Sequence, residues 1–193
     1  MTYKSADEIL KPDSRFDNLC VPEGEGYRFM TIADHHQMIG EVALAGSAPA
    51  AVQDAYDRAR NTMLYAFFDY DLFVVGEVQA FGAFELALKH RLNGHGLQQK
   101  GTLRNLVDRA RKAGIFPKLV AGASILDDQV EVMILLRNAL AHGNSEIHPP
   151  GMALQSSGAV RVGDRHRVPA RRRLAAQADL RTRPVGGPGA DSR

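Results

Sequence analysis

Three polar residues lie close together near the end of an apolar segment and carry functional groups suited to acid–base chemistry and anion binding. Arg137, Asn138 and His142 occur within six positions, in the stretch LLRNALAHGN. A histidine can exchange a proton near neutral pH, and an arginine carries a fixed positive charge. On a helix, Asn138 and His142 lie within about 40° of each other and share a strip with Glu131. These four residues are the candidate site residues.

Arg137 is unusual because the rest of this predicted helix is almost entirely apolar. On a helical wheel it lies between Val130 and Met133, about 140° from His142. A guanidinium among core-type neighbours needs an anion or a close interface. The alternative is purely structural, with the histidine satisfying free carbonyls in the last turn and Glu131 exposed to solvent. The residues alone leave both interpretations open.

The spacing of apolar residues predicts the elements that position these side chains. Four helices are predicted, over Ser47–Phe67, Leu72–Leu92, Thr102–Lys112 and from near Ser124 to Gly143. The second is apolar nearly all round, which predicts a central position. Four helices without convincing strands predict an all-α, up-and-down bundle of four to five helices with antiparallel neighbours.

The chain divides into three parts. Residues 1–46 lack sustained periodicity and predict an irregular N-terminal extension, residues 47–148 form the helical bundle, and residues 149–193 predict a disordered tail. Residues 151–193 hold nine arginines, no lysine and three aspartates, a net charge of +6 that leaves residues 1–150 at −4. The overall charge of +2 is therefore no argument that the bundle binds nucleic acid. The tail is an RNA-binding arm, a partner-binding segment, or the product of translating GC-rich DNA in the wrong frame.

Composition excludes several classes of protein. The single cysteine, Cys20, excludes an internal disulfide framework and cysteine-cluster metal sites, and it fits a reducing compartment. No apolar run reaches the roughly 18 residues that span a bilayer, and the first residues do not follow the order of a secretory signal. We expect a cytoplasmic protein without a membrane partner.

The motif and its position resemble the HEPN superfamily. The signature of that superfamily is an arginine, a polar residue directly after it, and a histidine separated from the arginine by four to six residues, at the end of the last bundle helix. Arg137, Asn138 and His142 occupy these places. The run from Glu85 to Lys89 in the second helix is also similar, so the resemblance covers roughly residues 47–146.

Many HEPN proteins are metal-independent endoribonucleases that act as dimers, and the resemblance implies this activity here, without a cofactor or a metal. It makes His142 the general acid or base and Arg137 the group that stabilises charge developing on phosphorus. Asn138 orients the phosphate or the histidine, and Glu131 matches an acidic position of some members. The implied partners are RNA or a nucleotide, a second copy of the chain, and an antitoxin or nucleotidyltransferase. The implied role is in defence or as a toxin.

The resemblance also leaves alternatives. Some HEPN members do not cleave RNA and only bind RNA, a nucleotide or a partner protein. In some toxins, a tyrosine two residues after the histidine is modified by a paired nucleotidyltransferase, whereas this chain has Asn144 there. That departure puts this mode of control in doubt.

Several other residues have functional groups that suit a site or a structural contact. Glu77 lies alone in an apolar run, where it could face a cleft or, more commonly, meet a lysine or a helix end. Glu85 and Lys89 predict a surface ion pair, and Gly76 and Gly82 predict close helix packing. A metal site could be assembled from acids and histidines, but adjacent histidines point apart and no His-Glu-x-x-His spacing occurs. The residues of that weaker candidate are Asp34, His35, His36, His142, Glu146 and His148.

Overall fold

The computed structural model describes residues 3–44, 47–94, 100–120, 122, 124–142, 147–148 and 150–153. Its elements are β1 (Cys20–Glu23), β2 (Gly26–Phe29), α1 (Ile32–Glu41), α2 (Ala50–Tyr65), α3 (Leu72–Asn93), α4 (Leu103–Lys112) and α5 (Gln129–Ala141). Short 3-10 turns occur at Ser14–Phe16 and Ile125–Asp127, and residues 150–153 are helical. The all-α fold class is confirmed. Apart from residues 150–153, the predicted disordered tail lies outside the described residues.

The four predicted helices correspond to α2, α3, α4 and α5, and the local signals at α4 are confirmed. Thr102 caps α4 by accepting a hydrogen bond from the amide of Asn105. At the other end Gly114 has a φ of +72°, which favours glycine, and the amide of Ile115 donates to the carbonyl of Ala110 at 2.8 Å. Ile115 is buried, as expected for the apolar residue that follows a glycine cap.

The predicted start of the last helix near Ser124 is wrong. Ser124 caps the 3-10 turn instead, by accepting from the amide of Leu126. The chain then passes through Asp128 in an extended conformation, and the Asp128 carboxylate accepts from the amides of Val130 and Glu131. Asp128 is therefore the N-cap of α5, because a short acidic side chain satisfies the free amides of the first turn. The predicted end at Gly143 lies outside the described residues, and α5 ends at Ala141.

The N-terminal region contains more regular structure than the sequence predicted. Strands β1 and β2 pair antiparallel with Cys20 opposite Phe29, and the turn between them contains Gly24 at a φ of +59°. Helix α1 begins with a capping box in which Thr31 and Asp34 each bond the other's backbone amide. This box was readable as a Thr-x-x-Asp pattern, but the two strands have four residues each and show little alternation.

Helices α2 and α3 are joined by six residues and pack side by side as an antiparallel pair. Gly76 lies where they approach most closely, because a Cβ there would fall 2.4 Å from Cγ of Met63 and 3.2 Å from the carbonyl oxygen of Ala59. The prediction that Gly76 permits close packing is confirmed. The same prediction for Gly82 is wrong, since that glycine is exposed and a Cβ would meet no atom within 4 Å.

Because of this difference, replacing Gly76 or Gly82 by alanine should change the free energy of unfolding in opposite directions. Gly76→Ala should lower the free energy of unfolding by about 1–3 kcal/mol, because the added methyl overlaps Met63. Gly82→Ala should raise it by about 0.5–1 kcal/mol, because alanine costs less backbone entropy in a helix. Urea denaturation of both variants measures the effect. Equal changes at both positions would contradict the close approach at Gly76.

Buried apolar side chains of the described residues form two clusters. One joins the second half of α3 to α4, α5 and Tyr56 of α2, and its other members include Phe81, Phe84, Leu88, Leu92, Leu106, Phe116, Met133 and Ile134. The other joins α2 and the first half of α3 to the N-terminal region through Phe16 and Ile39. The N-terminal region is therefore packed onto the bundle. Within the described ranges, no helix combines the length and apolar character needed to cross a membrane.

His35 on α1 is enclosed in this second cluster. Its ring is fully buried, with the rings of Phe16, Phe67 and Phe73 at centroid distances of 5.3, 5.8 and 5.8 Å. Nε2 donates to the carbonyl oxygen of Met63 at 2.9 Å, while Nδ1 has no partner among the described residues. Burial lowers the pKa of His35, because a charged ring would lose its hydration there. The ring is held neutral in the folded protein.

A lowered pKa predicts that stability falls with acidification. Below about pH 6.5 the unfolded chain takes up a proton at His35 that the folded protein does not, so the free energy of unfolding falls as pH falls, by up to about 1.4 kcal/mol per pH unit. Urea denaturation between pH 7.5 and 5 measures this slope. The slope should be smaller in His35→Gln than in wild type. Identical slopes in wild type and His35→Gln would show that His35 is not the responsible group.

Candidate functional site

The candidate residues lie in the last turns of α5. The backbone turns out of the helix at His142, which is the C-cap, and its amide donates to the carbonyl of Asn138 at 3.0 Å. The side chains of Leu135, Asn138 and His142 are exposed and lie on one face, at positions three and four apart. The structure therefore brings Asn138 and His142 together on an accessible strip.

Arg137 is on a different side of the same helix. It is partly buried, and Nη1 donates to Oδ1 of Asn138 at 3.3 Å. Among the described residues it forms no ion pair. The helical repeat places it about 140° around the axis and about 7.5 Å along the axis from His142. One copy of α5 thus presents an accessible imidazole and a cation that has no carboxylate partner among the described residues, but the two groups are not on one face.

Glu131 lies on the same strip of α5 as Asn138, yet it is almost completely buried. Arg104 of α4 binds both of its carboxylate oxygens, at 2.8 and 2.6 Å, and Nη2 of Arg111 lies 3.1 Å from Oε1. The hydrogen bond from Arg104 lowers the pKa of Glu131. Along the helix axis it is about 9 Å from Arg137. The structure therefore does not bring Glu131 together with the other candidates.

Arg111 extends this ion-pair network to the beginning of α5. Its guanidinium is buried, and Nη2 lies 3.0 Å from both carboxylate oxygens of Asp128. It also donates to the carbonyl oxygen of Pro117. Because Asp128 is the N-cap of α5, one arginine holds the start of that helix against α4. These contacts form the α4–α5 ion network, which consists of Arg104, Arg111, Asp128 and Glu131.

Glu77 has a partner that the sequence did not indicate. It is fully buried in α3, and Nδ1 of His148 lies 3.0 Å from each of its carboxylate oxygens. His148 is itself buried. This contact holds His148, six positions after His142, against the first half of α3. Sequence patterns could not reveal the pair, because its members are 71 positions apart.

The weaker metal-site candidate is divided between distant places. His35 is enclosed in the core and His148 is bound to Glu77, while Glu146 lies outside the described residues. In the part of the chain that the structure describes, no three histidine, cysteine, aspartate or glutamate side chains are grouped closely enough to hold a metal ion.

The predicted surface ion pair on α3 is present. Nζ of Lys89 lies 2.7 Å from Oε1 of Glu85, and both side chains are partly exposed. It links one turn of α3 to the next.

Comparison with known proteins gave no relative. No family model matches this chain, and no curated protein or solved structure matches it either.

Proposed function

We propose that this protein is a metal-independent endoribonuclease of the HEPN type, in which Arg137 and His142 act on the phosphodiester. The observation that supports this best is that one of these side chains is exposed and the other has no ion-pair partner among the described residues. His142 is exposed at the end of α5, and Arg137 has no carboxylate partner among the described residues. An unpaired guanidinium binds phosphate oxygens, and an accessible imidazole can transfer protons near neutral pH.

The proposed reaction uses the nucleophile that RNA itself carries. The ribose 2′-oxygen forms a bond to the adjacent phosphorus, and the bond from phosphorus to the 5′-oxygen breaks. His142 takes the proton from the 2′-hydroxyl or gives one to the leaving 5′-oxygen. Arg137 stabilises the charge that develops on the phosphoryl oxygens, and Asn138 orients the phosphate or the arginine. The products are a 2′,3′-cyclic phosphate and a 5′-hydroxyl.

A dimer reconciles this chemistry with the angle between the two side chains. Arg137 and His142 of one chain point about 140° apart, so a single helix cannot place both on one phosphate. Two copies of α5 that cross at a symmetric interface can bring the arginine of one chain to the histidine of the other. Leu135 supports such an interface, because it is 46% exposed on the strip that also carries Asn138 and His142.

Glu131 has no chemical step in this proposal. Both of its oxygens are already bound by Arg104, and it is nearly inaccessible to a substrate. Its proposed role is to hold α5 in place through the α4–α5 ion network. The further expectations of a cytoplasmic location, a toxin or defence role, and an antitoxin or nucleotidyltransferase partner follow from the HEPN resemblance and form part of the proposal.

A second candidate function is a non-catalytic module that binds RNA, a nucleotide or a partner protein. The same 140° separation favours it, because a binding surface needs the arginine but not the convergence of both groups. The two candidates differ in one measurable way. A binding module gives no RNA fragments under any condition, while its affinity still falls when Arg137 is replaced.

The test is an end-group analysis of RNA incubated with the protein in EDTA. The nuclease proposal expects fragments that carry a 2′,3′-cyclic phosphate and partners that carry a 5′-hydroxyl. Fragments with 5′-phosphates would indicate attack by water and overturn the proposed reaction. Intact RNA that co-elutes with the protein would instead support the binding module.

A further inference from the structure

A cavity lies between the start of α2, the second half of α3 and the turn after α4. Its volume is about 290 Å³, near the lower end for pockets that hold small molecules. The interior is apolar, and Phe84 and Phe116 stack within it at a centroid distance of 6.2 Å. The other apolar lining residues are Leu44, Ala48, Pro49, Val52, Ala87, Leu88 and Ile115.

The remaining lining residues of this cavity are polar or basic, and none is acidic. They are Ser47, His90 and Arg91, and the last two are exposed. Neither His90 nor Arg91 forms an ion pair with another described residue. The cavity therefore combines an apolar interior with an edge that favours negative charge.

The start of α2 adds to this preference. Pro49 is its N-cap and lines the cavity, and among the described residues no side-chain hydrogen bond caps this helix. The helix dipole places partial positive charge at that end, close to where Arg91 and His90 line the same cavity. A carboxylate at this edge would meet the guanidinium of Arg91 and the partial positive charge of the helix start.

This cavity is separate from the candidate site of α5. None of its lining residues lies on α5, and those on α3 run from Phe84 to Arg91. Glu77, whose carboxylate is bound by His148, lies about 10–20 Å from them along the axis of α3.

We propose that this cavity binds a small organic monoanion with an apolar body, such as a medium-chain carboxylate. The alkyl chain lies against Phe84, Phe116 and Leu88, and the carboxylate accepts hydrogen bonds from Arg91. The apolar body is recognised by burial, which supplies most of the affinity, and the single charge is recognised at the edge. This site is independent of the proposed ribonuclease activity.

Calorimetric titration of the full chain with sodium octanoate, below its micelle concentration, tests the proposal. Octanoate should bind at one site per chain, and 1-octanol, which lacks the charge, should bind about tenfold more weakly. Arg91→Gln should weaken octanoate by a similar factor and leave octanol unchanged. Arg58→Gln is the matched control, because Arg58 is an exposed arginine that does not line the cavity.

A second variant tests the interior. Ala87→Trp places a large side chain in the cavity and should abolish binding of both probes, with circular dichroism confirming that the helices remain. If that variant does not fold, Arg91→Gln still decides the question, since its side chain is exposed. Failure of octanoate to bind, or equal affinity for octanoate and octanol, would overturn the proposal.

Discussion

Replacing His142 by alanine should slow RNA cleavage about a thousandfold, because a positioned acid or base contributes about 10²–10⁴-fold to such reactions. The side chain is exposed at the C-cap of α5, so the fold should be retained. Initial rates on a labelled single-stranded RNA in EDTA measure the effect, and circular dichroism checks the helices. His36→Ala is the control, because it removes another exposed histidine from a distant helix. Cleavage that persists in His142→Ala would falsify the proposed role of the imidazole.

Mixing two inactive variants tests whether the site is shared between chains. Arg137→Gln and His142→Ala should each be inactive as homodimers. If the arginine of one chain serves the histidine of the other, a mixed dimer contains one site with both groups intact. After subunit exchange, half of the dimers are mixed and each has one of two sites, so about a quarter of wild-type activity should return. No recovery, despite demonstrated exchange, would place both groups of a site in the same chain.

The parts of this structure that could be predicted are those whose signals are local in sequence. The boundaries of α3 and the glycine-capped end of α4 follow from neighbouring residues, and the structure agrees within a residue or two. The Arg137 to His142 motif is local as well, so its position at the end of a helix was predictable. Its accessibility was not, because it depends on which other elements pack against α5.

The environment of Glu131 shows why the burial of the candidate residues was not predictable from the sequence. A helical wheel places Glu131 on the strip of Asn138 and His142, but it does not tell which neighbour covers the first half of that strip. Arg104 and Arg111 of α4 cover it. One signal existed, since these two arginines are seven positions apart and therefore lie on one face of α4, a suitable spacing to meet an acidic residue on another helix.

The α4–α5 ion network should make Glu131→Gln one of the most destabilising polar substitutions in this chain. The change removes a buried charge that Arg104 and Arg111 both bind, while Arg111 keeps Asp128 as its carboxylate partner. Losing hydrogen bonds to a charged group costs about 1.5–3 kcal/mol. Urea denaturation at pH 7 measures the loss. Glu85→Gln is the control, because its partly exposed pair with Lys89 should contribute less than about 1 kcal/mol.

Acid should remove the difference in the free energy of unfolding between Glu131→Gln and wild type. The pKa of Glu131 is lowered in the folded protein. Its contribution to stability is therefore complete above the unfolded value of 4.5 and is lost as pH falls through the folded value.

Cleavage assays separate the two roles considered for Glu131, which are holding α5 in place and taking part in the reaction. If Glu131 only holds α5 in place, Glu131→Gln should cleave RNA at the wild-type rate at temperatures well below its melting point. A rate that falls a hundredfold in a fully folded variant would return Glu131 to the reacting groups.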